Sequence, residues 1–257
     1  MTTPVISEKL LKDMLKNAVH FGHRPSKWDP KMKSFIHGKH SGVHVFDLNQ
    51  TATMLKEAQD FLKKCSNEGK TILFVSTKQQ AIEIVRDTAE SCGMPYITHK
   101  WVPGLLTNFG TIKKRIKHLK DLKSQELNGD FEKYTKKEAL ERHKTIIKLQ
   151  TALGGVQEMN KKPDALFVVD VVRDQISVKE ASKLGIPIVA IVDSNADPST
   201  ITYPIPGNDD AVKSITFLVE QIGAAIGPKK APKQKPDQPQ PEDKPKGKPE
   251  NKPGKPS

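Results

Sequence analysis

Cysteine is almost missing: Cys65 and Cys92 are the only two among 257 residues. Two thiols so far apart make neither a disulfide framework nor a Cys-based zinc site, and a reducing compartment is the default expectation. Long hydrophobic runs are missing too. The longest, Ala165 to Val169 and Ile186 to Val192 with Pro187 inside it, fall far short of the roughly 20 residues a membrane helix needs. The stretch Met1 to Leu11 carries Glu8, no apolar core and no Arg-rich amphipathic face, so no signal or transit peptide is expected. Acids are outnumbered, 30 Asp and Glu against 42 Lys and Arg, for a formal net charge of +12. A basic chain of this kind points to a polyanionic partner, nucleic acid first.

Glycine is missing where a nucleotide enzyme needs it. Gly69-Lys70-Thr71 looks like the end of a phosphate-binding loop, but Lys64 stands where that loop's first glycine belongs. The tripeptide also precedes a strand, whereas a P-loop follows one. The turn Ser76-Thr77-Lys78-Gln79 has no glycine at all, so backbone cannot approach a pyrophosphate as in a dinucleotide site.

What is present is alternation. Ser7 to Ala18 reads as a helix with Ser7 as N-cap. His20 to Ser41 reads as irregular, Val43 to Leu48 as a short extended segment, and Thr51 to Lys64 as a helix. From Gly69 on, apolar strands (Thr71–Ser76, Tyr96–His99, Ala165–Val171, Ile186–Asp193) alternate with amphipathic helices (Gln79–Ser91, Ser177–Leu184, Asp209–Ile226). Continuous apolar strands separated by helices predict a doubly wound parallel α/β sheet covered on both faces.

Ile112 to Gln157 interrupts that pattern. Two apolar stripes, Ile112, Ile116, Leu119, Leu122 and Ile146, Leu149, Leu153, Val156, flank an Asn128-Gly129-Asp130 turn. Thr135-Lys136-Lys137-Glu138 is a capping sequence for the second helix. An inserted antiparallel coiled-coil hairpin is expected. From Ile112 to Gln150 there are twelve Lys and Arg against six Asp and Glu. The division expected is 1–111 (an RNA-contacting segment and the first part of the α/β domain), 112–157 (the hairpin), 158–227 (the second part of the domain) and 228–257 (a tail). The tail holds nine Pro and nine Lys, a composition expected to stay disordered.

Asp170, Asp193, Asp197, Asp209 and Asp210 fall near strand ends, where a metal-dependent phosphohydrolase would place carboxylates. Turn formation and helix capping explain them better. His20, His23, His37, His40 and His44 have spacings that could ligate zinc, but Arg24 and Lys39 beside them disfavour a cation. No metal site, cofactor or catalytic residue is expected.

Cations interleaved with flat side chains carry more weight. One place is His20-Phe21-Gly22-His23-Arg24 with Lys27, Trp28, Lys31, Lys33 and Phe35; the other is Lys100-Trp101 with Asn108-Phe109 and Lys113-Lys114-Arg115. Arg and Lys neutralise phosphates, while aromatic rings stack on unpaired bases. Arg24, Lys27, Lys31, Lys33, Lys100, Lys113, Lys114 and Arg115 are the expected phosphate contacts. His20, His23, Trp28, Trp101 and Asn108 are expected to fix loop shape or touch sugars and bases.

These segments also resemble a known family. Ala18-Val19-His20-Phe21-Gly22-His23, Trp28-Asp29-Pro30-Lys31-Met32, Trp101 to Phe109, Asp193-Ser194-Asn195 and Tyr203 to Ala211 are similar, in order, to the bacterial-type small-subunit ribosomal protein S-two family. The likeness spans roughly Leu10 to Ile226 and leaves out the tail. Pro103 stands where the family has glycine, and His37 and His40 depart from its usual residues. The resemblance implies a non-catalytic α/β domain with a protruding coiled coil, bound to small-subunit rRNA in the cytoplasmic ribosome. It also implies neighbouring ribosomal proteins as partners, S-one among them, with no membrane and no small-molecule substrate. Two rival readings are a phosphohydrolase using Asp170 and Asp193, and a coiled-coil protein adaptor.

Overall fold

The structure, a computed structural model, describes residues 7–228; the tail from Lys229 on lies outside them. The chain opens with α1 (Glu8–Lys16), a hairpin of β1 (Ile36–His40) and β2 (Val43–Phe46), and α2 (Leu48–Asn67). There follow β3 (Ile72–Val75), α3 (Ile82–Cys92), β4 (Tyr96–Ile97), α4 (Phe109–Leu127) and α5 (Lys136–Leu153). The chain then runs through β5 (Ala165–Val168), α6 (Gln175–Lys183), β6 (Ile188–Val192), β7 (Tyr203–Pro206) and α7 (Val212–Ile226).

β3 to β7 form one five-stranded sheet in the order β4-β3-β5-β6-β7, with every neighbouring pair parallel. Parallel strands buried on both faces must be apolar at every position, and β3, β5 and β6 are buried throughout. Their side chains alternate between two cores. Ile72, Phe74, Ala165, Phe167, Val189 and Ile191 pack with Leu55 and Leu62 of α2, Val85 of α3 and Leu218 and Ile222 of α7. Leu73, Val75, Leu166, Val168, Ile188 and Ala190 pack with Val178 of α6, the bases of α4 and α5, and the loop holding Trp101, Leu105 and Leu106. The α/β sheet expected from the sequence is present.

Three local readings need correction. Ile36–His40, read as irregular, is a strand: its sequence shows no apolar alternation, and its ladder to β2 holds it instead. Leu48 begins α2 rather than ending a strand, because the Asp47 side chain caps that helix by accepting from Asn49 N at 2.9 Å. β7 escaped notice because Pro204 and Pro206 interrupt it; it lies at the sheet's edge, where proline is tolerated.

α4 and α5 run antiparallel, with Glu126 near the tip of one 2.8 Å from His143 of the other. Leu119, Leu122, Phe131 and Ile146 form a small core between them. The capping box is present: Glu138 N donates to Thr135 Oγ1, and Thr135 N donates to Glu138 Oε2 at 3.1 Å. Where α5 meets the sheet, Gly155 lies so close to Tyr96 of β4 that an added Cβ would overlap the Tyr96 carbonyl oxygen.

Candidate nucleic-acid interface

In an open α/β sheet, ligands bind beyond the carboxyl ends of the strands where the strand order reverses, between β3 and β5 in this sheet. That crevice is filled from within. Lys78, in the turn after β3, places its Nζ 2.7 Å from Asp209 Oδ1, 2.7 Å from Asp210 Oδ1 and 3.2 Å from Asp170 Oδ2. Burial alone would lower the Lys78 pKa, but the three carboxylates outweigh it and hold the ammonium above its ordinary value. Burial, with the charges of Asp193 and Asp170, raises Asp209. Thr77 N and Oγ1 donate to the buried Asp174 at 2.9 and 2.8 Å, so the turn itself is pinned.

The N-terminal segment closes over this edge. Backbone bonds from Gly22 to His44, His44 to His23 and Phe46 to His20 lay the His20–His23 run along β2. His23 Nδ1 lies 3.1 Å from Asp193 Oδ1, and its Nε2 lies 3.4 Å from Asp210 Oδ2. The Asp193 hydrogen bond raises the His23 pKa above its ordinary 6.5. His23, Asp193 and Asp210 each present a ligand atom within 4.8 Å of the others, one imidazole nitrogen and two carboxylate oxygens, with the Lys78 ammonium already on Asp210. Sequence spacing pointed to histidine pairs instead, because the carboxylates arrive from β6 and β7.

The loop before α4 is organised by a residue the sequence reading missed. Glu180, on α6 and 8 % exposed, accepts five hydrogen bonds. They come from Trp101 Nε1 (3.1 Å), Gly104 N (2.7 Å), Leu106 N (3.0 Å), Thr107 N (3.1 Å) and Thr107 Oγ1 (3.1 Å). Burial pushes the Glu180 pKa up, but these donors outweigh it and hold the carboxyl below its ordinary value. A charge-assisted acceptor can gather backbone donors that otherwise have no partner. Nothing in a lone Glu on a helix signals that role.

The expected contact residues divide by exposure. Arg24, Lys27, Lys33, Lys100, Asn108, Lys113, Lys114 and Arg115 are exposed. Among the described residues, none of those seven cations lies within ion-pair distance of an acid. Lys31 is exposed but paired with Asp197 at 2.5 Å, which holds Asp197 down to about 2. Trp101 is buried with its N–H on Glu180, so it shapes the loop and presents no ring to a base. Trp28 is half-buried, and its ring packs at a 39° tilt against His44 with centroids 5.0 Å apart. His20 is half-buried; burial, then the charge of His40, lowers its pKa.

The fold is thus an α/β sheet whose ligand crevice is occupied by its own ion pairs, with exposed cations elsewhere. The family described as Ribosomal protein S2 matches residues 14–228. The small ribosomal subunit protein uS2 of Dictyoglomus thermophilum is 48 % identical over 217 residues, covering 84 % of this chain and 88 % of that protein. The uS2 proteins of Nitratiruptor sp. and Campylobacter curvus are 47 % and 43 % identical, covering 84 % and 86 % of this chain and 81 % and 84 % of their own length. The chain belongs to the ribosomal protein S2 family, a structural and non-enzymatic part of the small ribosomal subunit. The phosphohydrolase reading of Asp170 and Asp193 falls with that assignment: Asp170 neutralises Lys78, and Asp193 is engaged by Ser194, Asp209 N and His23.

Proposed function

We propose that the chain serves the small subunit by binding its rRNA through two basic places, the 20–35 segment and the 99–115 loop with the start of α4. The observation that carries this reading is the group of seven exposed cations with no acid within ion-pair distance among the described residues. Arg24, Lys27, Lys33, Lys100, Lys113, Lys114 and Arg115 meet phosphates, with Lys31 exchanging Asp197 for phosphate on binding. Asn108 contacts sugar or base, and His20, His23, Trp28 and Trp101 shape the loops. Phosphate contacts position a protein without reading sequence, so selectivity comes from RNA shape. The α4–α5 pair, within residues 112–157, acts as a coiled-coil projection from a domain made of 1–111 and 158–227. Recruitment of S-one rests on the family resemblance, and co-purification with S-one on small subunits is its test.

Reversing Lys113, Lys114 and Arg115 to Glu together tests the RNA reading. The slope of log affinity against log salt should flatten by about 2 to 3, at roughly 0.7–0.9 per phosphate contact. An unchanged slope on small-subunit rRNA removes these residues from the interface.

A further inference from the structure

β1 contains a glycine its own geometry does not require. Gly38 sits within the strand opposite Val45. Its φ is outside the left-handed range, and a Cβ built on it would meet nothing within 4 Å. Glycine inside a strand gives up packing, and it recurs where the ladder bulges or a ligand comes close. The ladder is irregular between Ile36 and Gly38, yet this backbone would accept any residue.

The space beside Gly38 belongs to a cavity of about 430 Å³. Four ring-bearing residues, His20, Phe21, His37 and His40, line it together with Gly38, Lys39 and Val45. The His20 and Phe21 rings lie 4.0 Å apart, tilted by 40°. His20 Nδ1 is buried without a hydrogen-bond partner. Burial, then the charge of His40, lowers the His20 pKa.

A cavity lined by ring-bearing residues, on the same hairpin as the exposed Lys39, suits a flat ligand with an anionic backbone. An unstacked base on a phosphodiester chain has that chemistry: rings stack on the base, and lysine meets the phosphate. We propose that this cavity, with Gly38 leaving it open, receives one unpaired base of small-subunit RNA. The proposal rests on the rRNA reading above and adds a base contact to its phosphate contacts.

Gly38→Val fills the space with a residue strands favour. His37→Ala with His40→Ala removes two exposed rings without touching the core, and covers the case in which Gly38→Val misfolds. Full-length protein and both variants are bound to transcribed small-subunit rRNA, read by filter binding, ultraviolet cross-linking and thermal melting. The expected result is a loss of about tenfold in affinity for each variant, unchanged melting, and a wild-type cross-link within residues 36–45 that both variants lose. Full affinity in a well-folded variant, or wild-type cross-links only outside 36–45, overturns the base pocket while leaving rRNA binding in place. Absence of wild-type binding overturns the rRNA reading itself, and the pocket with it.

Discussion

Two regions of this molecule hold charge in opposite ways. At the carboxyl edge of the sheet, Lys78, Asp170, Asp209 and Asp210 satisfy one another in a buried cluster. At the start of α4, Lys113, Lys114 and Arg115 stand exposed between the buried Ile112 and Ile116. The first arrangement spends its charge on the fold. The second leaves it available to a partner. The same formal charges therefore predict different consequences when removed.

The largest effect should come from Lys78→Met. Removing one partner of a buried ionic cluster leaves the others uncompensated, at a cost of about 3–5 kcal/mol. A urea midpoint equal to wild type would show that water already screens the cluster.

Glu180→Ala should come next, about 2–3 kcal/mol, because buried backbone donors lose a charged acceptor. Acid should act in the same direction. The folded Glu180 pKa lies below its ordinary 4.5, so its contribution is complete above that value and fades as pH falls through the folded value. With Glu180 intact, Trp101 fluorescence in a Trp28→Phe background should shift red as pH falls through the lowered Glu180 pKa. In Glu180→Ala it should already be shifted at pH 7; a blue, wild-type spectrum there would break the assignment.

The smallest effect should come from Lys31→Ala. Both side chains of its pair are about half exposed, 55 % and 44 %, and such pairs add little stability. The readout is local: the Asp197 carboxyl, held down to about 2 by Lys31 and by bonds from Ser199, should rise toward its ordinary 3.8 in an NMR titration. A carboxyl that stays near 2 would leave Ser199 as the sole cause.

The sequence disclosed the sheet well where burial is two-sided. The β3, β5 and β6 runs are apolar at every position because both faces are covered, and no other pattern competes with that signal. β1 and β7 were hidden because backbone pairing, not side-chain pattern, holds them. The site was legible as a set of residue types and illegible as a set of partners. Asp170, Asp193, Asp209 and Asp210 stood out, yet their link to Lys78 and His23 spans up to 187 positions, from His23 to Asp210. Trp101 read as a ring that either fixes loop shape or touches bases, and only the position of Glu180, 79 residues later, turns it inward.

Gly155 has a mechanical consequence. It lies in the short turn just after α5, packed on β4, and α5 is 18 residues long, about 27 Å at 1.5 Å per residue. Each degree of tilt at that fulcrum moves the far end by about 0.5 Å, given the same helix length. A single methyl at Gly155, forced off the Tyr96 carbonyl, would re-aim the whole arm while leaving every residue on it unchanged. The accuracy with which this lever points is set by the smallest side chain at its base.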